Sequence, residues 1–212
     1  MSKEVNLQFV RPFGPIICKV TMPIEIVNSL NEYVDDIIIN KDKSEELDHG
    51  AKLAGNVHQE LKLDKDFIKS SNWGNFLSSC ADLWLKKTLN KKITKFEIIS
   101  TWVVRQFQND YNPIHTHGGH ISGVGYLKVP KNLGEYTQKT KKNNHNGELT
   151  LIHGSKMFLS ESTFNIVPKV GEFYFFPNYL MHSVYPFSNS NEERRSVSFN
   201  ANIDENIYNI YT

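Results

Sequence analysis

The residues of this chain best suited to chemistry lie in Tyr111-Asn112-Pro113-Ile114-His115-Thr116-His117-Gly118-Gly119-His120. His115 and His117 stand two apart, and a β-strand sends residues i and i+2 to one face. Two imidazoles so placed can hold a single metal ion from adjacent corners. Gly118-Gly119 frees the backbone to turn and ends the strand. A third ligand must come from elsewhere, and His182 is the candidate, within a second apolar strand-like run from Phe175 to Val184. The pattern predicts a metal site made of two strands. Three protein ligands leave positions open at the ion, the mark of a catalytic rather than a structural site. Imidazole suits iron, zinc, copper and nickel alike, so these histidines alone do not select the ion.

Arg194-Arg195-Ser196-Val197-Ser198-Phe199-Asn200 supplies a partner for whatever fills the open positions. On a strand, Arg194, Ser196, Ser198 and Asn200 share one face, while Arg195, Val197 and Phe199 share the other. A buried guanidinium with a hydroxyl two residues on suits a carboxylate, because its paired donors match both oxygens. Tyr126, on the strand after the histidines, adds a phenolic donor. Taken without the histidines, Arg194 and Arg195 read as an exposed pair beside Glu192 and Glu193. His120 stays open between a structural role and one behind the ligands or facing a substrate. His145 and His153 read as surface or satisfied core residues.

These side chains need a scaffold, and the rest of the chain supplies one. Residues 5–21 read as one or two short strands broken at Pro12 and Gly14-Pro15, with residues 16–20 the clearest. Thr21 offers an N-cap and Pro23 suits a first helical turn. Ile26, Val27, Leu30, Val34, Ile37 and Ile38 follow at helical spacing. Residues 40–66 are polar and read as a long surface connection. A second helix carries Trp73, Phe76, Leu77, Cys80, Leu83 and Trp84 on one side, a packed face. From residue 95 the character changes. Strands are expected over 96–107, 121–129, 148–153, 162–167, 173–176 and 194–203, with 131–147 a surface loop. Short strands at this spacing indicate an all-β sandwich or barrel.

Composition bounds the rest. With 212 residues the chain suits one domain with a sizeable core: residues 1–94 supply N-terminal strands and supporting helices, and 95–205 the β core. Lys and Arg number 24 against 23 Asp and Glu, so the total carries no bias toward polyanions. The two cysteines, Cys18 and Cys80, imply neither a disulfide framework nor a zinc knuckle. Nothing at the N-terminus reads as a signal peptide, and no apolar run spans a bilayer. A reducing compartment is expected, the cytoplasm or, for a phage-encoded chain, that of the host.

The ordered set His115-Thr116-His117, Ser122-Gly123-Val124-Gly125-Tyr126-Leu127, Phe176-Pro177, His182 and Arg194 to Asn200 resembles the iron(II)- and 2-oxoglutarate-dependent oxygenases. More narrowly it resembles their small bacterial and phage-encoded branch, over about residues 100–203. The resemblance implies a mainly β fold with flanking helices around a double-stranded β-helix, the cupin-like jelly roll. It implies His115 and His182 as ligands of Fe(II). His117 falls where most of the superfamily has a carboxylate, and becomes the third ligand as in the narrower branch. Arg194, with Ser196 as its hydroxyl partner, matches the arginine that pairs with the distal carboxylate of 2-oxoglutarate. Arg195 is the alternative if the strand slips by one residue. Tyr126 resembles a tyrosine contacting the same cosubstrate. The implied reaction consumes O2 and 2-oxoglutarate, releases succinate and CO2, and hydroxylates a C–H bond, with no catalytic residue beyond the metal ligands.

Two other readings stay open. A non-oxidative cupin-like isomerase or hydrolase would use the histidines but leave Arg194, Ser196 and Tyr126 without a task. A structural or binding jelly roll would make the histidines incidental. The substrate class, whether small molecule, peptide or nucleic acid, and the oligomeric state are not legible.

Overall fold

The computed structural model describes residues 14–136 and 138–211. The strand expected over 16–20 forms as β1 (Cys18–Thr21), while the part expected before Pro12 lies outside the described residues. Helix α1 (Ile24–Ile39) follows and buries Ile26, Val27, Leu30, Val34 and Ile37. Thr21 does not cap it, because that residue is still paired in β1. Pro23 holds the cap position without a side-chain bond.

Residues 40–66 depart most from expectation. They form α2 (Lys41–Leu47), a 3-10 turn over Gly50–Lys52, and strand β2 (Gln59–Lys62). The short helix α3 (Lys65–Ser70) comes next, capped by Asp64 accepting from the Phe67 amide at 2.7 Å. Helix α4 (Trp73–Leu89) buries Trp73, Leu77, Ala81, Trp84 and Leu85. Phe76 and Cys80 pack partly against that core, but Leu83 is exposed. The buried stripe runs through Ala81 and Leu85 instead. Cys18 and Cys80 are both free thiols.

The remaining strands are β3 (Phe96–Gln106), β4 (Asn112–His115), β5 (Ile121–Lys128), β6 (Leu149–Ile152) and β7 (Thr163–Ile166). β8 (Glu172–Pro177), β9 (Met181–Val184) and β10 (Arg194–Ile203) complete them, with α5 (Glu205–Tyr208) after the last. They build two antiparallel sheets. The larger runs β1-β8-β5-β10-β3-β2 and the smaller β4-β9-β6-β7. The apolar run 175–184 is therefore two strands in different sheets, separated by a turn at Asn178 to Leu180.

Alternation along β10 decides what each face of the large sheet does. Val197 and Phe199 join α1 and α4 in one core, together with Val103, Phe173 and Phe175. Phe173 lies flat on β5 because residue 125 is glycine: a Cβ there would stand 2.3 Å from the Phe173 ring and 2.9 Å from Met22. The opposite face meets the small sheet over a second cluster that includes Leu149, Leu151, Tyr174, Phe176 and Leu180. Helices thus seal one face of the large sheet, and between the two sheets the other face is left to line a site. Among the described residues, no helix is long and apolar enough to cross a membrane.

Candidate metal centre and its cavity

His115 and His182 are direct cross-strand partners on β4 and β9, which sets their rings 4.2 Å apart between centroids. His117 lies just beyond β4 rather than on it. It reaches the same point because the chain turns at Gly119 (φ +84°), where a Cβ would stand 3.0 Å from the Ala201 carbonyl oxygen. The turn is pinned by Asn178: the His117 amide donates to the Asn178 carbonyl at 3.0 Å, and the Asn178 side chain returns a bond to the His117 carbonyl at 3.3 Å. Sequence reading missed Asn178, since an asparagine in a turn carries no signal of its partner.

The ligand-capable nitrogens of His115, His117 and His182 all lie within 4.8 Å of one another. Two of the three tautomers follow from hydrogen bonds. His115 Nδ1 faces the Pro113 carbonyl at 2.7 Å and His182 Nδ1 the Leu180 carbonyl at 2.9 Å. A carbonyl only accepts, so both Nδ1 atoms carry the proton and both Nε2 lone pairs are free to point at an ion. His117 Nε2 stands 3.1 Å from His182 Nε2. Two nitrogens each about 2.1 Å from one ion and at right angles would be about 3 Å apart, so the pair fits adjacent coordination positions. Burial, with His182 and His115 nearby, pushes His117 down to about 3; burial and His115 push His182 to about 4. Both are neutral donors at ordinary pH. Trp102 and Phe176 set ring edges against His117 and His182 respectively, giving the site apolar walls.

The centre opens into a cavity of about 310 Å³ whose wall includes Arg194, Ser196, Ser198 and Asn200, the same-face set of β10. Arg194 is 1 % exposed, yet no carboxylate among the described residues pairs with it. It donates through Nη1 to Gln106 Oε1, while its Nε has no partner among the described residues. Gln106 passes the contact on, donating to Asn112 at 3.1 Å. Burial pulls the Arg194 guanidinium below its ordinary value, and Tyr126 works the other way. An unpaired buried cation is costly, and a bound anion would satisfy it.

Tyr126 is not part of the cavity wall. It is fully buried behind Arg194, whose guanidinium carbon stands 5.1 Å from the centre of its ring. Its hydroxyl has no hydrogen-bond partner among the described residues, and burial pushes it up to about 12 against the pull of Arg194. Arg195 faces away, toward α1. It is held by Glu193 at 2.8 and 2.9 Å, by Asp35 at 2.7 Å and by Asn31. Its donors are spent on structure.

His120 lies apart from the three-histidine centre. It accepts the Ile203 amide at 3.1 Å and stacks on Tyr208, with Glu205 3.4 Å from its other nitrogen. It docks the C-terminal turn. His145 pairs with Glu148 at 2.7 Å, also away from the centre. The cavity has a further wall, Lys52, Leu53, Ala54 and Glu60, from the polar stretch 40–66, which reads from its residues as a solvated loop sooner than as a border of the site mouth.

Residues 100–200 match the family model described as "Putative 2OG-Fe(II) oxygenase". No curated protein matches the sequence. Among solved structures, the chain is similar to a Pseudomonas putida prolyl-4-hydroxylase (15 % identity, 87 % of this chain and 91 % of that one, TM-score 0.57). It is also similar to a Trichoplax adhaerens prolyl hydroxylase in complex with a hypoxia inducible factor peptide fragment (13 % identity, 92 % and 87 %, TM-score 0.54). A third is the non-heme alpha ketoglutarate dependent epimerase SnoN from nogalamycin biosynthesis (15 % identity, 86 % and 76 %, TM-score 0.57). At these identities the likeness shows the fold, a double-stranded β-helix with flanking helices.

Proposed function

We propose that this chain, whose strand half belongs to the 2OG-Fe(II) oxygenase superfamily, holds Fe(II) through His115, His117 and His182 and 2-oxoglutarate through Arg194 and Ser196. The chain is a 2-oxoglutarate-dependent oxidoreductase that uses Fe(II), 2-oxoglutarate and O2. One observation carries the site assignment. Three imidazoles and one buried guanidinium with no counter-ion among the described residues open into the same cavity. A non-oxidative metal site would explain the imidazoles and leave the guanidinium unanswered.

When bound, the ion and cosubstrate supply the oxidising chemistry: one substrate C–H, 2-oxoglutarate and O2 give C–OH, succinate and CO2. The protein's own tasks are narrower. His115 and His182 are held in the right tautomer by the Pro113 and Leu180 carbonyls. Arg194 fixes the far carboxylate of the keto acid, with the Ser196 hydroxyl on the same face two residues away. Tyr126 backs the guanidinium with its ring face, a cation–π contact that keeps the fork aimed into the cavity. Trp102 and Phe176 exclude water from the reacting end. The substrate of the reading is a molecule, peptide or otherwise, that enters beside these walls.

The test is anaerobic addition of Fe(II) and 2-oxoglutarate. The expected result is a weak visible metal-to-ligand charge-transfer band that requires both. A band of full strength in His182→Ala overturns the ligand assignment, and no band in wild type overturns the reading.

A further inference from the structure

Glu60 sits on β2, the edge strand of the large sheet, outside the segment that matches the family model. The strand register places it in one row with Val104, Ser196 and Tyr126, on the cavity side. Two strand spacings separate it from Ser196, about 10 Å, so it serves a different end of the cavity from Arg194. It is only 2 % exposed, it lines the cavity, and its Oε2 has no hydrogen-bond partner among the described residues. Its other oxygen faces Gly55, where a Cβ would meet Glu60 Oε1 at 3.1 Å and Asn112 Nδ2 at 2.9 Å. The absence of a side chain at residue 55 lets both polar groups approach the chain there.

A buried carboxyl with nothing to hold is costly unless a ligand completes it. The nearby charge narrows the ligand. Asp48 is a second carboxylate on the same side: a Cβ on Gly50 would stand 3.3 Å from Asp48 Oδ1 and 3.8 Å from Glu60 Oε2. Lys52 lines the same cavity but forms no ion pair with Glu60 among the described residues. Burial, and then Asp48, push the Glu60 carboxyl up to about 7, so it ionises less readily than an exposed carboxyl. A neutral donor would leave that acidic corner unbalanced, whereas a cation balances it and pairs with an ionised Glu60.

We infer that Glu60 is a specificity-determining residue of this site and receives a cationic nitrogen, ammonium or guanidinium, carried by the substrate. The inference rests on the oxygenase reading above and names its substrate class. The cavity then has an anionic pole at Glu60 for the substrate and a cationic pole at Arg194 for the keto acid. The C–H bond to be oxidised lies between the substrate nitrogen and the three histidines.

The probes are lysine and arginine blocked at both termini, set against norleucine and citrulline blocked in the same way. Binding is measured by calorimetry to anaerobic protein loaded with Fe(II) and 2-oxoglutarate. Wild type should bind the cationic member of at least one pair tenfold or more tightly than its neutral match, and Glu60→Gln should reduce that preference to within about twofold. The charge-transfer band should be the same in both proteins, which shows the variant's metal end intact. If Glu60→Gln does not give the band, Glu60→Leu, which needs no polar partner, takes its place. A tenfold preference that survives the substitution overturns the inference, as does a wild type that shows the band but binds none of the four or does not discriminate. A wild type without the band removes the oxygenase reading, and this inference with it.

Discussion

Arg194 and Arg195 are neighbours in the chain and both almost fully buried, yet they face opposite sides of β10 and have opposite fates. Arg195 has carboxylates on two of its nitrogens, whereas Arg194 has a single amide oxygen and a bare Nε. The first is structural by its partners and the second available by its lack of them.

Arg194→Gln is therefore expected to weaken 2-oxoglutarate binding by about 10- to 100-fold, the value of a charge-assisted contact. Arg195→Gln should leave that affinity unchanged and cost about 2 kcal/mol of stability through its lost bonds to Glu193, Asp35 and Asn31, Arg105 remaining as a partner for Glu193. Titration of the charge-transfer band with 2-oxoglutarate and chemical denaturation separate the two. The reverse pattern would exchange the two arginines' roles.

At the metal end, His182→Ala and His117→Ala should each lower Fe(II) affinity by more than about a hundredfold, since groups behind the ligands alone are worth 10- to 100-fold. His120→Ala should retain the metal, because its contacts are to Ile203 and Tyr208. Metal content after gel filtration reads both outcomes. Loss of iron in the His120 variant with its fold intact would contradict the placement.

Glu60 predicts a pH effect with a definite sign. Its folded value of about 7 lies above the ordinary carboxyl range, so the folded state holds a proton the unfolded chain releases. That contribution to stability is complete at pH below the ordinary range and is lost as pH rises through about 7. Wild type should lose on the order of 2 kcal/mol more than Glu60→Gln between pH 5 and pH 8, a relative fall in Tm of about 5 °C. Parallel Tm curves for the two proteins would show that Glu60 is not protonated in the fold.

Gly125→Ala tests the close approach of Phe173 to β5. The added methyl collides with the ring at 2.3 Å, and overpacking of this kind costs about 1–3 kcal/mol. The collision is on the helix side of the sheet, so the charge-transfer band should persist at temperatures where the variant is folded.

Much of this was legible in the residues. β10 runs over the expected 194–203, and its alternation sends Arg194 and Ser196 to the cavity and Val197 and Phe199 to the core. Three histidines from two segments meet as their spacing suggested, though His117 does so from a turn rather than from the strand. The far wall was not legible. Gln59-Glu60-Leu61-Lys62 has no β-branched or aromatic residue, and alternating polar side chains read as a solvated stretch. Its strand character comes from pairing with Val104 and Val103 on β3, a long-range contact that local pattern does not encode. Glu60 is buried for the same reason, with Gly55 of the loop before it close against its Oε1. Leu83 shows the converse error, an apolar residue at helical spacing that the structure leaves in water.

β2 has a neighbouring strand on one side only, and its segment is also tied down at the Asn56–Tyr111 bridge, at the Asp110 contact to the His58 amide, and at Gln59, which accepts from Arg105 and donates to Ser44, both at 2.7 Å. Within residues 48–62 the cavity wall and the core anchor are separate side chains, Glu60 facing the site and Leu61 fully buried in the helix-side core. On the proposed function, changing the cavity-facing residues of this rim while keeping Leu61 would alter what the cavity admits and leave His115, His117, His182 and Arg194 in place.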